Sequence, residues 1–133
     1  MGQAVVHFEI IGRDPATLRR YYGELFGWEF TTDDAVTEAV SAPGNYGFVT
    51  GNAGNAGNAG NAETPVNGGI GGGPGYERRV LFYVGVPDVE TTLQQAERLG
   101  GTRRMGPEGT AGKLVVGHFT DPEGNLIGIA GER

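Results

Sequence analysis

The chain has 133 residues, enough for one compact domain with a real core or for two small modules sharing one. Ten Lys and Arg against 16 Asp and Glu leave a formal charge of −6. With no basic stripe, nucleic acid is excluded as the main partner. Zero cysteines exclude disulfides, thiolate catalysis and cysteine-based zinc sites. No apolar run approaches the roughly eighteen residues of a membrane helix and no basic-then-apolar start is present, so a cytoplasmic protein without membrane contact is expected.

Ala4–Ile11 alternates as a first strand, with Val6, Phe8 and Ile10 on one face and Val5, His7, Glu9 and Ile11 on the other. Asp14-Pro15 is a helix start, an N-cap acceptor followed by proline at the first helical position. Leu18, Tyr21, Tyr22, Leu25 and Phe26 then recur at the spacing of one buried stripe, and Gly27 ends the helix. Trp28–Thr32, Val36–Ser41 and Tyr46–Thr50 read as short strands.

The centre changes character. Gly51–Ala62 is four copies of Gly-Asn-Ala, a period with no apolar face, and is expected to be a solvated loop that can be deleted without loss of folding or binding. Val66–Gly75 continues rich in glycine. No Lys-Ser/Thr follows it, and no strand–glycine–helix fingerprint marks it as a phosphate cradle.

Val80–Val86 is apolar on both faces and is read as a central strand. Pro87-Asp88 repeats the helix-start logic, and Val89, Leu93, Ala96 and Leu99 form a second stripe closed by Gly100-Gly101. Thr102–Met105 and Leu114–Thr120 are expected strands. His118 to Ala130 reads as strand, turn, strand around Asp121-Pro122-Glu123-Gly124.

Shifting the chain by 74 residues brings Phe8 onto Phe82, Asp14 onto Asp88, Leu25 onto Leu99 and Gly27 onto Gly101. Self-similarity of this kind marks two repeated modules, each strand, capped helix, then about three strands, too small to bury a sheet alone.

The chain resembles the vicinal oxygen chelate superfamily of glyoxalases, extradiol dioxygenases and bleomycin-resistance proteins. The residues that carry the resemblance are His7 before Asp14, Tyr21-Tyr22 to Gly27-Trp28, Val86-Pro87-Asp88-Val89 and Asp121-Pro122-Glu123-Gly124-Asn125. It covers essentially the whole chain. The resemblance implies an α+β fold, two tandem βαβββ modules forming a curled mixed sheet around a cup, and a homodimer. The modules fall at 1–50 plus 63–76, with loop 51–62 inserted, and at 77–133, together one domain over 1–133. Chemistry does not follow from the fold, which hosts unrelated activities.

Metal-dependent members take ligands from the first and last strand of each module. His7 stands at one such position. The matching second-module position is Leu81, the final-strand position is Gly128, and Val66–Gly73 offers only the amide of Asn67. Catalytic metal sites use about three protein ligands, so no metal is favoured; a divalent metal on His7 and Glu9, with His118 as a further candidate ligand, is the alternative. Glu9 is the one candidate general base. His7 is otherwise a half-buried imidazole hydrogen-bonded to Glu9, and His118 a strand residue. The expected ligand-binding set is His7, Glu9, Trp28, Phe48, Leu81, Tyr83, Leu126 and Gly128, with Phe30 and Tyr46 as further wall candidates and Gly128 offering room.

Three functions follow, in order. The first is a metal-free protein holding a small organic molecule in the cup. The second is a glyoxalase- or dioxygenase-type metalloenzyme with an altered site. The third is a structural member that acts through its dimer surface.

Overall fold

The computed structural model describes residues 2–32, 36–49, 66–109 and 114–131, so the loop expected over Gly51–Ala62 lies outside the described residues. By internal contacts the chain divides into two units, His7–Val80 and Met1–Val6 with Leu81–Arg133. Each is built as strand, helix and three strands. The first six residues therefore group with the second half rather than the first. Among the described residues, no helix is long and apolar enough to cross a membrane.

In the His7–Val80 unit, β1 (Val5–Gly12, of which the unit holds the part from His7) leads into α1 (Pro15–Phe26), β2 (Phe30–Thr31), β3 (Gly47–Val49) and β4 (Asn67–Gly72). Their order across the sheet is β2-β3-β4-β1, with β4 parallel to β1 and antiparallel to β3. The predicted start of α1 is present: the Asp14 carboxylate accepts from the Thr17 N–H at 3.2 Å and from its hydroxyl at 2.8 Å. Gly27, at φ 74°, closes the helix by donating its N–H to Gly23 O at 2.8 Å.

Two expectations fail in this unit. The stripe on α1 is not buried: Tyr21, Leu25 and Phe26 are each more than half exposed. The strand that α1 packs on, β4, has the sequence Asn-Gly-Gly-Ile-Gly-Gly and presents almost no side chains to grip. The rings pack on one another instead, Phe26 on Trp28 at 5.0 Å and Tyr22 on Trp28 at 6.0 Å. Val36–Ser41 is a turn rather than a strand. Val40 and Ser41 both donate to Thr37 O, and the Thr37 hydroxyl takes the Ala39 N–H, so local bonds satisfy groups a strand would have offered to a neighbour.

In the other unit, β5 (Arg79–Gly85, here from Leu81) is followed by α2 (Val89–Arg98), β6 (Thr102–Gly109), β7 (Val115–Thr120) and β8 (Leu126–Gly131), in the order β5-β8-β7-β6. Asp88 caps α2 through the Thr91 N–H at 2.9 Å. Val89 and Leu93 are fully buried against Val86, Val115 and Ile129, the core of this unit. Leu99, the expected last member of that stripe, lies past the end of α2 and is exposed. Arg103 on β6 grips Glu90 on α2 with two bonds of 2.9 and 2.7 Å; this pairing holds the Glu90 carboxyl down at about 2. β6 continues past the expected Met105 to Gly109, with register shifts against β7 on the way.

The terminal hairpin forms as expected. Asp121 Oδ1 accepts the N–H groups of Glu123 and Asn125 at 2.9 and 3.0 Å, and Gly124 takes φ 91°. β5 departs from its reading as a strand apolar and buried on both faces. Leu81 and Tyr83 are buried, while Val80 is 73% and Phe82 41% exposed.

Candidate functional site

Strand alternation puts His7 and Glu9 side by side on one face of β1. The parallel register sets Glu9 beside Gly69 of β4, and Phe48 of β3 stands on the far side of Gly69. Tyr46 enters just before β3. Its ring lies flat over β4, where a Cβ at Gly69 would overlap the ring and one at Gly71 would stand 2.5 Å from its Cδ2. The glycines of β4 are thus the floor on which Tyr46 is seated.

From that seat the Tyr46 hydroxyl donates to Glu9 Oε1 at 2.9 Å and lies 2.8 Å from His7 Nε2. A phenol has one hydrogen. With that hydrogen on Glu9, the His7 contact is made by an Nε2–H donating to the Tyr46 oxygen, and the imidazole is neutral. Burial enforces that state by lowering the His7 pKa from 6.5 to about 4. Glu9 is 2% exposed and Tyr46 3%. Phe48 meets His7 edge-on at 6.1 Å and Tyr46 at 4.8 Å, adding an aromatic wall.

The second unit repeats the device with other residues. In its register Tyr83 stands beside Gly128, as Glu9 stands beside Gly69. The Tyr83 ring covers Gly128, where a Cβ would come within 2.5 Å of it, so the room expected at Gly128 is already taken. The Tyr83 hydroxyl lies 2.7 Å from Nε2 of His118, and both residues are 2% exposed. Leu81, Tyr83 and Ala130 form a cluster with Leu126 and Val116 packed against it.

Of the residues singled out from sequence, His7, Glu9 and Phe48 come together in one unit, and Leu81, Tyr83, Leu126 and Gly128 in the other. Trp28 packs at 5.1 Å on Phe8, whose side chain alternates away from those of His7 and Glu9. His7 and Glu9 are linked through Tyr46. That role was not legible in the sequence, where Tyr46 was one wall aromatic among several. Among the described residues, no group of three or more His, Cys, Asp or Glu is placed to hold a metal.

A family model described as Glyoxalase/Bleomycin resistance protein/Dioxygenase superfamily matches residues 4–129. Several solved structures share the fold. A variant of the Streptomyces coelicolor methylmalonyl-CoA epimerase, in complex with 2-nitronate-propionyl-CoA, is 14% identical at a TM-score of 0.67, covering 97% of this chain and 96% of that one. A Mn(II)-bound glyoxalase from Novosphingobium aromaticivorans is 15% identical at a TM-score of 0.60, covering 98% of this chain; the chain spans only 39% of that glyoxalase's length. A glyoxalase/bleomycin resistance protein/dioxygenase superfamily member from Vibrio splendidus 12B01 is 14% identical at 0.58, covering 98% and 99%. No curated protein matches the chain.

Proposed function

The chain belongs to the Glyoxalase/Bleomycin resistance protein/Dioxygenase superfamily, and on that premise we propose that it binds a small organic molecule through the face carrying His7, Glu9, Tyr46 and Phe48, without a bound metal. The observation that carries this reading is the Tyr46 hydroxyl, set between His7 Nε2 and Glu9 Oε1. With Nε2 and Oε1 both engaged by that hydroxyl, a cation shared by the two side chains would have to displace Tyr46. The family's metal positions elsewhere on this chain fall at Leu81, at Gly128 and within Val66–Gly73, where Asn67 alone offers a donor. Gly128, and Gly69 at the matching place in the other unit's register, are floors for tyrosine rings. A few polar groups beside an aromatic wall is the composition of a small-molecule site. The partly exposed ring of His7 supplies its hydrogen-bonding group, held in place by the buried Tyr46 and Glu9. Residence in the cytoplasm, in keeping with a chain that has no cysteine, belongs to the same reading.

The second reading is a glyoxalase- or dioxygenase-type metalloenzyme on an altered site. It is favoured by the nearness of His7 and Glu9 to one hydroxyl and by the Mn(II)-bound relative. In it His7 Nε2 and Glu9 would be protein ligands, fewer than the three or so that catalytic sites use.

One experiment separates the two. Thermal unfolding is followed with a panel of uncharged planar aromatic molecules, catechol among them, and metal content is measured on the same protein after soaking with manganese, zinc, nickel and ferrous iron. The expected result is a concentration-dependent rise in Tm with at least one probe, reduced in Tyr46→Phe, and no stoichiometric metal. Near-stoichiometric metal that disappears in His7→Ala would put the metalloenzyme first. No shift with any probe and no metal would sink both and leave the structural reading.

A further inference from the structure

In the His7–Val80 unit, a cavity of about 400 Å³ lies where β1 passes into α1. That volume falls within the range of small-molecule sites. Its lining combines apolar Ile10, Leu18 and Val80 with three arginines, Arg13, Arg78 and Arg79. Arg79 is the informative one. Its Nε and Nη2 atoms are buried and have no hydrogen-bond partner among the described residues. A guanidinium stays charged at any working pH, and a buried donor left unmade is costly. These two nitrogens share one edge of the guanidinium plane, the edge that meets both oxygens of a carboxylate or phosphate in parallel bonds.

We propose that this cavity binds an oxyanion on a short apolar chain, a carboxylate or a phosphate monoester, with Arg79 turning its closed-off Nε–Nη2 edge into the cavity as the two-pronged partner. Arg13 and Arg78, both exposed, add further positive charge to the lining. The opposing charge is Asp14, also in the lining, and its oxygens are already spent on the backbone and hydroxyl of Thr17. Three guanidinium groups against one carboxylate leave the site net positive. Ile10, Leu18 and Val80 fix the character of the tail. Val80 is 73% exposed, so an aliphatic tail laid on it removes apolar surface from water. The site is separate from the proposed His7–Tyr46–Glu9 site, and its test does not depend on that reading.

The test titrates the full chain at constant ionic strength with hexanoate, hexyl phosphate, inorganic phosphate and hexanol, following Tm and the ¹⁵N–¹H signal of the Arg79 Nε. The expected result is saturable binding of hexanoate or hexyl phosphate, with the Arg79 Nε signal moving in step. Inorganic phosphate binds more weakly and hexanol not at all. Arg79→Lys, which keeps the charge and loses the fork, is expected to weaken binding by about tenfold or more; it also assigns the Nε signal by its disappearance. The ratio of hexanoate to hexyl phosphate affinity says which oxyanion the site prefers. The proposal is overturned if neither probe binds, if hexanol binds as well as hexanoate, or if Arg79→Lys binds unchanged. Triple-resonance assignment of the Arg79 Nε on the wild-type chain lets the titration support or overturn the proposal even where the variant fails to fold.

Discussion

His7 is a partly buried imidazole whose pKa is lowered by that burial, and this has a consequence for stability. Its folded pKa of about 4 lies below the ordinary 6.5, so between those values the unfolded chain takes up a proton that the folded chain does not. Stability therefore falls as pH drops from about 6.5 to about 4, by on the order of 3 kcal/mol from this residue. Above pH 6.5 the residue adds no pH dependence. His7→Gln keeps an N–H donor and removes the titration, and it is expected to flatten the slope in that window. Urea midpoints taken in steps from pH 7 to pH 4 check this, and equal slopes for the two proteins would assign the loss to other groups. At this scale the site was legible only in part. The pairing of His7 and Glu9 on one face follows from period-two alternation. Tyr46 does not, because nothing local says that a residue 39 positions away from His7 swings its hydroxyl onto it.

At the scale of elements, β4 is the unusual piece. A strand of Asn-Gly-Gly-Ile-Gly-Gly has poor intrinsic preference for its own structure. Each glycine on one face is nonetheless answered by a ring, Gly69 and Gly71 by Tyr46, and on the other face Gly68 by Phe8. Gly69→Ala is therefore expected to destabilise the fold by about 1–3 kcal/mol and to displace Tyr46, although alanine suits a strand better than glycine. A urea midpoint lowered together with a changed tyrosine near-ultraviolet signal is the expected readout; a stabilised Gly69→Ala would show that the ring has room to move. The same strand accounts for the failed stripe on α1. A helix written with apolar periodicity still needs side chains opposite it, and glycines provide few.

For the whole molecule, the two units carry one plan with different contents. Where one has Glu9 beside Gly69, the other has Tyr83 beside Gly128, and each unit sets a tyrosine hydroxyl on a histidine. The first of these contacts, in which the Tyr46 hydroxyl engages both His7 and Glu9, is the basis for proposing a metal-free binding protein. We further expect a homodimer, since Tyr21, Leu25 and Phe26 leave an apolar face on α1 exposed. Sedimentation equilibrium at micromolar concentration is expected to return twice the 13.9 kDa chain mass. A monomer there, or a dimer that survives Phe26→Glu together with Leu25→Glu unchanged, would remove α1 from the interface.

The sequence by itself determined the repeat, the two capped helices, the terminal hairpin and the family. Each of these is written in local patterns: caps, turn residues and the period of apolar positions act over a few residues, and the repeat is their recurrence. On the family resemblance, it also showed that of the positions where metal-dependent members take ligands one holds His7, while two others hold Leu81 and Gly128. Only the tertiary structure decided what fills those positions. The tyrosine rings over Gly69 and Gly128, the hydroxyl between His7 and Glu9 and the edge of Arg79 left without a hydrogen-bond partner among the described residues all depend on how residues far apart in the chain are packed. Such contacts are set by register and packing across strands, which composition and periodicity do not encode.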